Sequence, residues 1–200
     1  MSELVKFQEN GKYGFKDEDG IVLVSAIYED AGDFSEGLAF VQKNGKLGYI
    51  DKSGALVLPF EYDFAGVFSE GLAYAQKNGK LGYIDKSGAE VLPFEYDFAW
   101  DFREGLAEVK KNGEWCYVDK KGNRYNEENA EKYKGIVREY RKSVDKIVKE
   151  SKEGILALDE KDCVKMNIIV DRVKAELDEL YENTIEKLAE IPKMEESENS

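Results

Sequence analysis

The sequence predicts an α+β chain, in which an N-terminal all-β array of stacked three-stranded β-meanders precedes a C-terminal antiparallel helical hairpin. Three observations lead to this prediction. The dipeptide Asn-Gly recurs every 34 residues in the first part of the chain, at 10–11, 44–45, 78–79 and 112–113. After Asn123 the composition changes, because Gly and Pro become rare while Glu and Lys dominate. The apolar residues of this second part then follow a helical period.

Each 34-residue repeat is predicted to form one meander of short strands. Asn-Gly between two apolar segments is the strongest short hairpin signal, since both residues tolerate the positive φ of a type I′ turn. In QKNGKLGYIDKSGA, which occurs at 42–55 and again at 76–89, the Asp-Lys-Ser-Gly segment supplies a second turn. Pro59 and Pro93 are expected to end the third strand, because proline cannot donate to a ladder.

The meanders are expected to stack, because a single one cannot bury its apolar face alone. A less regular segment, FEYDFAGVFSEG, links one meander to the next. Its aromatic residues are expected to pack between units: Tyr62 and Phe68, with Tyr96 and Phe102 in the next copy. The fourth copy stops at about Asn123, so the predicted β domain, residues 1–124, holds about three and a half repeats.

The repeats resemble the bacterial WG repeat, also called the KWG repeat. The resemblance lies in the pattern N-G-K-[Y/L/W]-G-[F/Y]-x-D-x-x-G, followed by Y-[E/D]-x-A and F-x-E-G-L-A, and it covers about residues 4–124. The namesake Trp-Gly pair is replaced in every copy: Tyr13-Gly14, Leu47-Gly48, Leu81-Gly82 and Trp115-Cys116. The resemblance implies an all-β repeat scaffold that acts as a binding or interaction module without a defined catalytic residue.

Residues 125–192 are predicted to form two long antiparallel helices. Asn126 is the expected N-cap of the first helix and Gly154 its expected stop, while Asp159 is expected to cap the second helix and Pro192 to end it. The first apolar stripe contains Tyr133, Ile136, Val137, Tyr140, Val144, Ile147 and Val148. The second contains Met166, Ile169, Val170, Val173, Leu177, Leu180, Tyr181, Ile185 and Leu188.

The two stripes leave two interpretations open. They face each other and the sheet, or part of the surface stays open for a partner helix or for a homodimer through the helices. The acidic residues 193–200 that follow are predicted to be a disordered tail.

Charge and composition argue against several classes of partner. The net charge of −13 disfavours direct binding to nucleic acid or to an anionic membrane, and it favours a protein partner with a basic surface. No apolar run approaches the roughly 18–20 residues that span a bilayer. The N-terminus lacks a basic-then-apolar signal-peptide pattern, so a cytoplasmic location is expected.

No catalytic, cofactor-binding or metal-binding residue is predicted. The chain has no histidine, which excludes Ser-His-Asp and Cys-His arrangements, and KDEDG at 16–20 is an incomplete calcium loop. Two sets of carboxylates repeat in register, and a structural role in each turn is favoured over paired catalytic acids: Asp17, Asp51, Asp85 and Asp119, and Glu36, Glu70 and Glu104. Cys116 and Cys163 are expected to be free thiols, with one disulfide as the alternative.

Candidate partner-binding residues lie where the repetition breaks. Trp100 stands at the repeat position of Gly32 and Gly66, and Arg103 stands at that of Ser35 and Ser69. With Trp115, they give the last full unit two Trp and one Arg, the residue types enriched in binding hot spots. The alternative is that these residues cap the array against the helices.

These observations favour a non-enzymatic protein-interaction module, bacterial or phage-encoded, that binds a partner through the last repeat, the helices or both. The alternative function is an acidic antagonist, like an immunity protein or an anti-CRISPR inhibitor, that blocks the nucleic-acid channel of a nuclease or immune effector. A carbohydrate-binding repeat with exposed aromatic side chains is a third, weaker hypothesis.

Overall fold

Tight turns at a fixed spacing divide the first part of the chain into short antiparallel strands. The computed structural model describes residues 4–158 and 163–194, and its contacts divide the chain into two units, Met1–Arg124 and Tyr125–Ser200. In the four Asn-Gly turns both residues have positive φ, for example 54° at Asn44 and 75° at Gly45, as a type I′ hairpin requires. The predicted hairpins are therefore present.

Over the described residues, the strands form four small sheets that follow one another along the chain. The first sheet contains β1 (Val5–Glu9), β2 (Lys12–Lys16) and β3 (Val22–Tyr28), and the second contains β4 (Asp30–Ala31), β5 (Leu38–Lys43), β6 (Lys46–Asp51) and β7 (Leu56–Tyr62). The third contains β8 (Phe64–Ala65), β9 (Leu72–Lys77), β10 (Lys80–Asp85) and β11 (Glu90–Tyr96). The fourth contains β12 (Phe98–Ala99), β13 (Leu106–Lys111), β14 (Glu114–Asp119) and β15 (Arg124–Tyr125). The predicted meander is confirmed, and each of the last three sheets adds a two-residue strand at its start.

The prediction that Pro59 and Pro93 end the third strand is wrong. Both prolines lie inside a strand, β7 or β11, at a place where the register with the neighbouring strand shifts. Between the paired residues Tyr49↔Leu58 and Leu47↔Tyr62 the bulged strand carries extra residues that do not join the ladder. A proline there costs no ladder hydrogen bond, and the strand resumes after it.

The sheets stack face to face, so that the core lies between successive repeats. One cluster of buried residues joins Phe15, Val24 and Tyr28 of the first sheet to Val41 and Ile50 of the second. A second cluster joins the second and third sheets in the same way. The linker aromatics pack between units as predicted, since the Phe68 ring lies 5.0 Å from the Tyr49 ring and the Phe102 ring lies 4.9 Å from the Tyr83 ring.

The same tyrosine hydrogen bond occurs at the second and third sheet-to-sheet junctions. The Tyr49 hydroxyl donates to the Gly66 carbonyl at 2.6 Å, and the Tyr83 hydroxyl donates to the Trp100 carbonyl at 2.7 Å. Because both rings are fully buried, each bond satisfies a backbone oxygen that faces the junction.

Replacing Tyr83 with phenylalanine is expected to lower the free energy of unfolding by about 1 kcal/mol, because it removes this bond and leaves the Trp100 carbonyl without its donor. Chemical denaturation followed by circular dichroism measures the change. Tyr74→Phe is the matched control, since no hydrogen bond of its hydroxyl is found among the described residues, and its effect should stay within about 0.5 kcal/mol. Equal losses in both variants would contradict the assignment.

The second unit is an antiparallel pair of long helices, α1 (Glu127–Leu156) and α2 (Cys163–Ala189). Two side-chain contacts fix the direction of α2 relative to α1. Near one end the Asn129 amide donates to the Pro192 carbonyl at 2.9 Å. Further along, a carboxylate oxygen of Glu139 lies 4.0 Å from the Lys187 amine. The predicted hairpin is thus confirmed.

The helix ends agree only in part with the sequence predictions. Asn126 caps α1, because its side-chain oxygen accepts a hydrogen bond from the Asn129 backbone at 2.9 Å. The prediction that Gly154 stops α1 is wrong: the helix continues to Leu156 with Ala157 at its C-cap. A Cβ at Gly154 would lie 3.7 Å from the Ile169 side chain, an ordinary van der Waals distance, so the packing of α2 does not require a glycine there. Asp159 and the tail from 195 onward lie outside the described residues.

Candidate partner-binding surface

The structure places Trp100 and Trp115 in one aromatic cluster. The Phe98 ring lies between them, with ring centroids 5.1 Å from Trp100 and 5.5 Å from Trp115, both in edge-to-face geometry. The Lys110 amine lies 5.6 Å from the centre of the Trp115 ring. Trp100 is 52% exposed, Trp115 49% and Phe98 40%, so the three rings form a continuous exposed patch. We call Phe98, Trp100 and Trp115 the aromatic cluster.

Phe98 was missed by the sequence reasoning because it does not break the repetition. Phe64 occupies the same position in the previous repeat, where it stacks on Tyr74 at 6.0 Å and is 53% exposed. An exposed aromatic side chain therefore occurs at this position in two successive repeats, whereas the first repeat has Asp30, and the two tryptophans enlarge it into a cluster in the last one.

Trp100 is accommodated because the aromatic residue that would clash with it in the earlier repeats is replaced by Glu108 in the last repeat. In the earlier repeats, a Cβ at Gly32 would lie 2.3 Å from the Phe40 ring, and one at Gly66 would lie 2.4 Å from the Tyr74 ring. In the last repeat the residue at the position of Phe40 and Tyr74 is Glu108, whose carbonyl accepts the backbone bond from Trp100 at 3.0 Å. The earlier repeats thus carry a Gly-aromatic pair, and the last repeat carries Trp-Glu instead.

Trp115 is exposed because of its place in the stack. Residues paired directly across strands share a face of a sheet, and the register Lys110↔Trp115 and Glu108↔Tyr117 places these four on one face. The equivalent residues of the inner sheets, Leu47 and Leu81, are buried. After the fourth sheet the chain continues into α1. No further repeat therefore stacks on the face that carries Trp115, and the ring stays exposed.

Arg103 lies on the turn that follows the aromatic cluster. Its backbone exchanges two hydrogen bonds with Leu106, at 2.8 and 3.1 Å, and its side chain is exposed. In earlier repeats this position is a serine whose hydroxyl donates to the next repeat, from Ser35 to the Phe68 carbonyl at 2.6 Å and from Ser69 to the Phe102 carbonyl at 2.7 Å. The fourth copy stops before the residue equivalent to Phe68 and Phe102, so a side chain at position 103 has no corresponding carbonyl to which it could donate.

Asp101, which lies between Trp100 and Arg103 in the sequence, carries a half-buried carboxylate. One of its carboxylate oxygens is buried and has no hydrogen-bond partner among the described residues. Burial raises the pKa of this carboxyl, and the positive charge of Arg103 opposes the shift. The equivalent residue in the previous repeat is Val67, so the break in repetition brings a partly buried charge beside the cluster.

The recurring carboxylates hold the fold together, as the sequence analysis favoured. Asp51 accepts backbone hydrogen bonds from Ser53 at 2.8 Å and from Ala55 at 3.1 Å within its own turn. Glu70 reaches the next repeat, where it accepts from the backbone amides of Glu104 and Gly105, both at 2.9 Å. These contacts assign the two carboxylate sets to turns and repeat junctions.

The turn that positions these glutamates is not predicted by a common turn motif in the sequence. Glu36, Glu70 and Glu104 each have a φ of 50–54°, in the left-handed region that glutamate seldom adopts, and each precedes a glycine. The signal that could have found this turn is the Glu-Gly pair, repeated at the same spacing as Asn-Gly.

Cys116 is a free, buried thiol, and the Arg124 guanidinium donates to its sulfur at 3.3 Å. The side chain of Cys163 lies outside the described residues. Within the described ranges, no group of Cys, Asp and Glu side chains is arranged to hold a metal ion. Neither α1 nor α2, over the residues described, contains an apolar stretch suited to crossing a membrane.

Comparison with known proteins addresses the repeats. A family model described as "WG containing repeat" matches residues 13–46, 48–80 and 82–115, together half of the chain. No curated protein matches the chain significantly. A solved structure of the 2S albumin seed protein from Dolichos is 15% identical, with 59% of this chain and 82% of that chain covered, and its TM-score of 0.26 is too low to indicate a shared fold. The three matched segments fall on the stacked sheets, and the chain therefore belongs to the WG containing repeat family.

Proposed function

We propose that this chain is a non-enzymatic protein-interaction module, bacterial or phage-encoded, that binds a protein partner through the aromatic cluster. The observation that carries the proposal is the exposure of Phe98, Trp100 and Trp115, about half each, on rings that already hold one another in edge-to-face contact. Such rings offer a large apolar contact area that is ordered before binding, which reduces the entropic cost of association. Tryptophan is also the residue type most enriched among binding hot spots.

The surroundings of the cluster suit a protein partner. Lys110 and Glu108 lie on the same face as Trp115, and Arg103 is exposed on the adjacent turn. An apolar centre with polar groups of both signs at its edge is the usual composition of a protein–protein interface. The net charge of −13 further favours a partner with a basic surface.

The repeats themselves supply a sharp test. The triple variant Trp100→Gly, Glu108→Tyr and Trp115→Leu restores at each position the residue of the third copy, namely Gly66, Tyr74 and Leu81. It should fold as the wild type does, because the Gly-aromatic pair already exists in two repeats. A tagged chain and this variant are used to capture proteins from the native host. Proteins that the wild type enriches are expected to be lost with the variant.

Direct titration then measures the affinity for one purified captured protein. The chain has two tryptophans, both in the cluster, so binding should shift its fluorescence to shorter wavelength. The triple variant, measured by calorimetry, should bind at least tenfold more weakly, equivalent to about 1.4 kcal/mol. Phe64→Ala removes an exposed aromatic side chain from the previous repeat and should leave the affinity unchanged. Equal affinity of the triple variant and the wild type would refute the proposal.

The acidic-antagonist function is supported by the net charge of −13. Against it, many of the acidic side chains in the repeats have partners within the fold: Asp51 and Asp85 in turns, and Asp63 and Asp97 with lysines. The same titration decides between the two functions. A charge mimic should lose affinity steeply between low and moderate salt, because ions screen exposed charges, whereas binding through aromatic rings should change little.

A further inference from the structure

The four Asn-Gly turns carry a chemical reactivity that the proposed binding function does not use. In such a pair the backbone nitrogen of glycine can attack the side-chain carbonyl carbon of asparagine, because glycine has no side chain to hinder the approach. The φ angles of the four turns agree closely, at 49–54° for Asn and 75–85° for Gly, so backbone conformation does not distinguish them. All four pairs are exposed at hairpin tips: Asn10-Gly11, Asn44-Gly45, Asn78-Gly79 and Asn112-Gly113.

Three of the turns have a carboxylate beside their backbone amides. Glu29 accepts a hydrogen bond from the Gly45 amide at 2.9 Å, and Asp97 accepts one from the Gly113 amide at 3.4 Å. At the third turn, the Lys46 ammonium and a hydrogen bond from the Asn78 backbone lower the pKa of Asp63. The three carboxylates occupy one repeat position: Glu29, Asp63 and Asp97.

The Asn10-Gly11 turn differs in two respects. Within the described ranges, no carboxylate accepts a hydrogen bond from the Gly11 amide. The first strand of this hairpin is also the least covered: β1 pairs with β2 alone and has no buried residue, whereas β5, β9 and β13 each have three buried residues and a paired strand on both sides. This hairpin is therefore the one that opens most easily.

The reaction open to an exposed Asn-Gly pair is deamidation. The glycine nitrogen, once deprotonated, bonds to the side-chain carbonyl carbon of asparagine, the carbon–nitrogen bond of the carboxamide breaks, and ammonia leaves with the glycine proton. Water then opens the cyclic imide. Attack at the side-chain carbonyl gives aspartate, and attack at the backbone carbonyl routes the chain through the side chain as isoaspartate. The sum exchanges a carboxamide and water for a carboxylate and an ammonium ion.

A carboxylate at the glycine amide slows the first step. Deprotonation of the Gly45 nitrogen would break a charge-assisted hydrogen bond and set a second negative charge 2.9 Å from the Glu29 oxygen. The effect is weaker at Gly113, where the hydrogen bond is longer. No described carboxylate opposes the deprotonation of Gly11 in this way.

We propose that Asn10 is the principal site of spontaneous deamidation in this chain, and that the carboxylates beside the other turns protect their asparagines. Isoaspartate lengthens the backbone by one methylene, which a tight type I′ turn does not accommodate. The modification would therefore loosen the pairing of β1 with β2. The aromatic cluster lies in the fourth sheet and its surroundings, away from this hairpin along the stack.

Incubation of the full chain at neutral pH, followed by proteolysis and mass spectrometry, measures conversion at the four asparagines in one sample. Cleavage after glutamate separates the sites, since the fragments that contain Asn44 and Asn78 differ at Phe40 and Tyr74. Electron-transfer fragmentation distinguishes isoaspartate from aspartate. Asn10 should convert about tenfold faster than Asn44, the factor that corresponds to one hydrogen bond to a charged group. Equal rates at these two sites would overturn the proposal.

The variant Glu29→Ala tests the protective role of the carboxylate. Asn44 should then convert about tenfold faster than in the wild type, because its turn has lost the charged acceptor. Asn112, whose neighbour Asp97 is unchanged, is the internal control. An unchanged or slower conversion of Asn44 would overturn the protective role, and a slower one would assign the carboxylate as a base instead.

The variant Asn10→Gly tests the consequence for the fold. It keeps a sequence that suits a type I′ turn and has no carboxamide to lose. After the same incubation, the midpoint of chemical denaturation should fall for the wild type and stay constant for the variant. Equal falls in both would contradict the effect on β1 and β2. Partner binding through the aromatic cluster should be the same in both proteins, so failure of this proposal and failure of the binding function are distinguishable.

Discussion

Replacing Gly48 with alanine is expected to lower the free energy of unfolding of the β unit by about 3 kcal/mol, the upper range for forcing atoms into a packed site. The added Cβ would lie 2.7 Å from the Leu58 carbonyl oxygen and 3.0 Å from the Pro59 carbonyl carbon. Both atoms belong to the backbone of the bulged strand β7, which is held in the middle of the stack and cannot move aside as a flexible side chain would. Chemical denaturation followed by tryptophan fluorescence measures the loss, since both tryptophans belong to this unit.

Gly135→Ala is the control, because it is expected to raise the free energy of unfolding where Gly48→Ala lowers it. Gly135 lies in α1 with no atom within 4 Å of the position of an added Cβ. Alanine should therefore stabilise the helix by about 0.5–1 kcal/mol, through its higher helix propensity. An unchanged unfolding midpoint in Gly48→Ala would show that the strand relaxes around a methyl group and that this glycine is not required.

The fourth copy of the repeat shows under which condition the glycine at the position of Gly48 can be replaced. Cys116 occupies the position of Gly14, Gly48 and Gly82, and its side chain is accepted there. The third strand of that copy is β15, which has two residues, whereas β3, β7 and β11 have seven and carry the bulge. The namesake glycine of the repeat thus depends on the bulged strand beside it, and a shortened strand removes the requirement.

The fold was predictable wherever one residue type imposes one backbone geometry. Asn-Gly fixed the hairpins because few other pairs accept two positive φ angles in succession. Proline was misleading at Pro59, because its effect depends on whether the ladder needs its amide, and the bulge that removes this need is a property of the pairing rather than of a local motif. Gly154 misled for a different reason: a glycine inside a helix lowers the stability of the helix without ending it, and α1 continues through this residue to Leu156.

The candidate site was predictable only as a departure from the repeat. Comparison of the copies singled out Trp100, but not the role of Glu108, because the two positions meet only once β12 pairs with β13. Phe98 gave no signal, since its copy Phe64 is also aromatic. Exposure depends on what covers a face, and that is decided by the stacking of whole repeats.

Replacing Asp101 with valine, the residue of the preceding repeat, is expected to raise the free energy of unfolding by about 1–2 kcal/mol at pH 7. The substitution removes a buried oxygen without a hydrogen-bond partner and returns an apolar side chain to a partly buried position. Asp101→Asn, which removes the charge and keeps a polar group, should recover only part of the gain. A valine variant less stable than the wild type would show that the carboxylate has a partner in solution.

The pH dependence of this gain separates charge from packing. Burial raises the pKa of Asp101 in the folded chain above its unfolded value of about 3.9. Below that value the carboxyl is protonated in both states and costs no charge burial. As the pH rises through the folded pKa, the folded state must bury a charge, and the wild type loses stability relative to the variant. The advantage of Asp101→Val should therefore be smaller at pH 3 than at pH 7, and a constant advantage would assign it to packing alone.

This carboxylate gives an independent reason to seek function at the break in repetition. A repeat that kept Val67 and Gly66 in its last copy would avoid both the buried charge of Asp101 and the exposed ring of Trp100. Residues that lower the stability of the fold and make no compensating structural contact are expected at functional sites, where selection for function retains them. If Asp101→Val stabilises the chain and also weakens binding of the captured partner, stability has been exchanged for recognition at this surface. If it stabilises the chain and leaves binding unchanged, the aromatic cluster acts without its acidic neighbour.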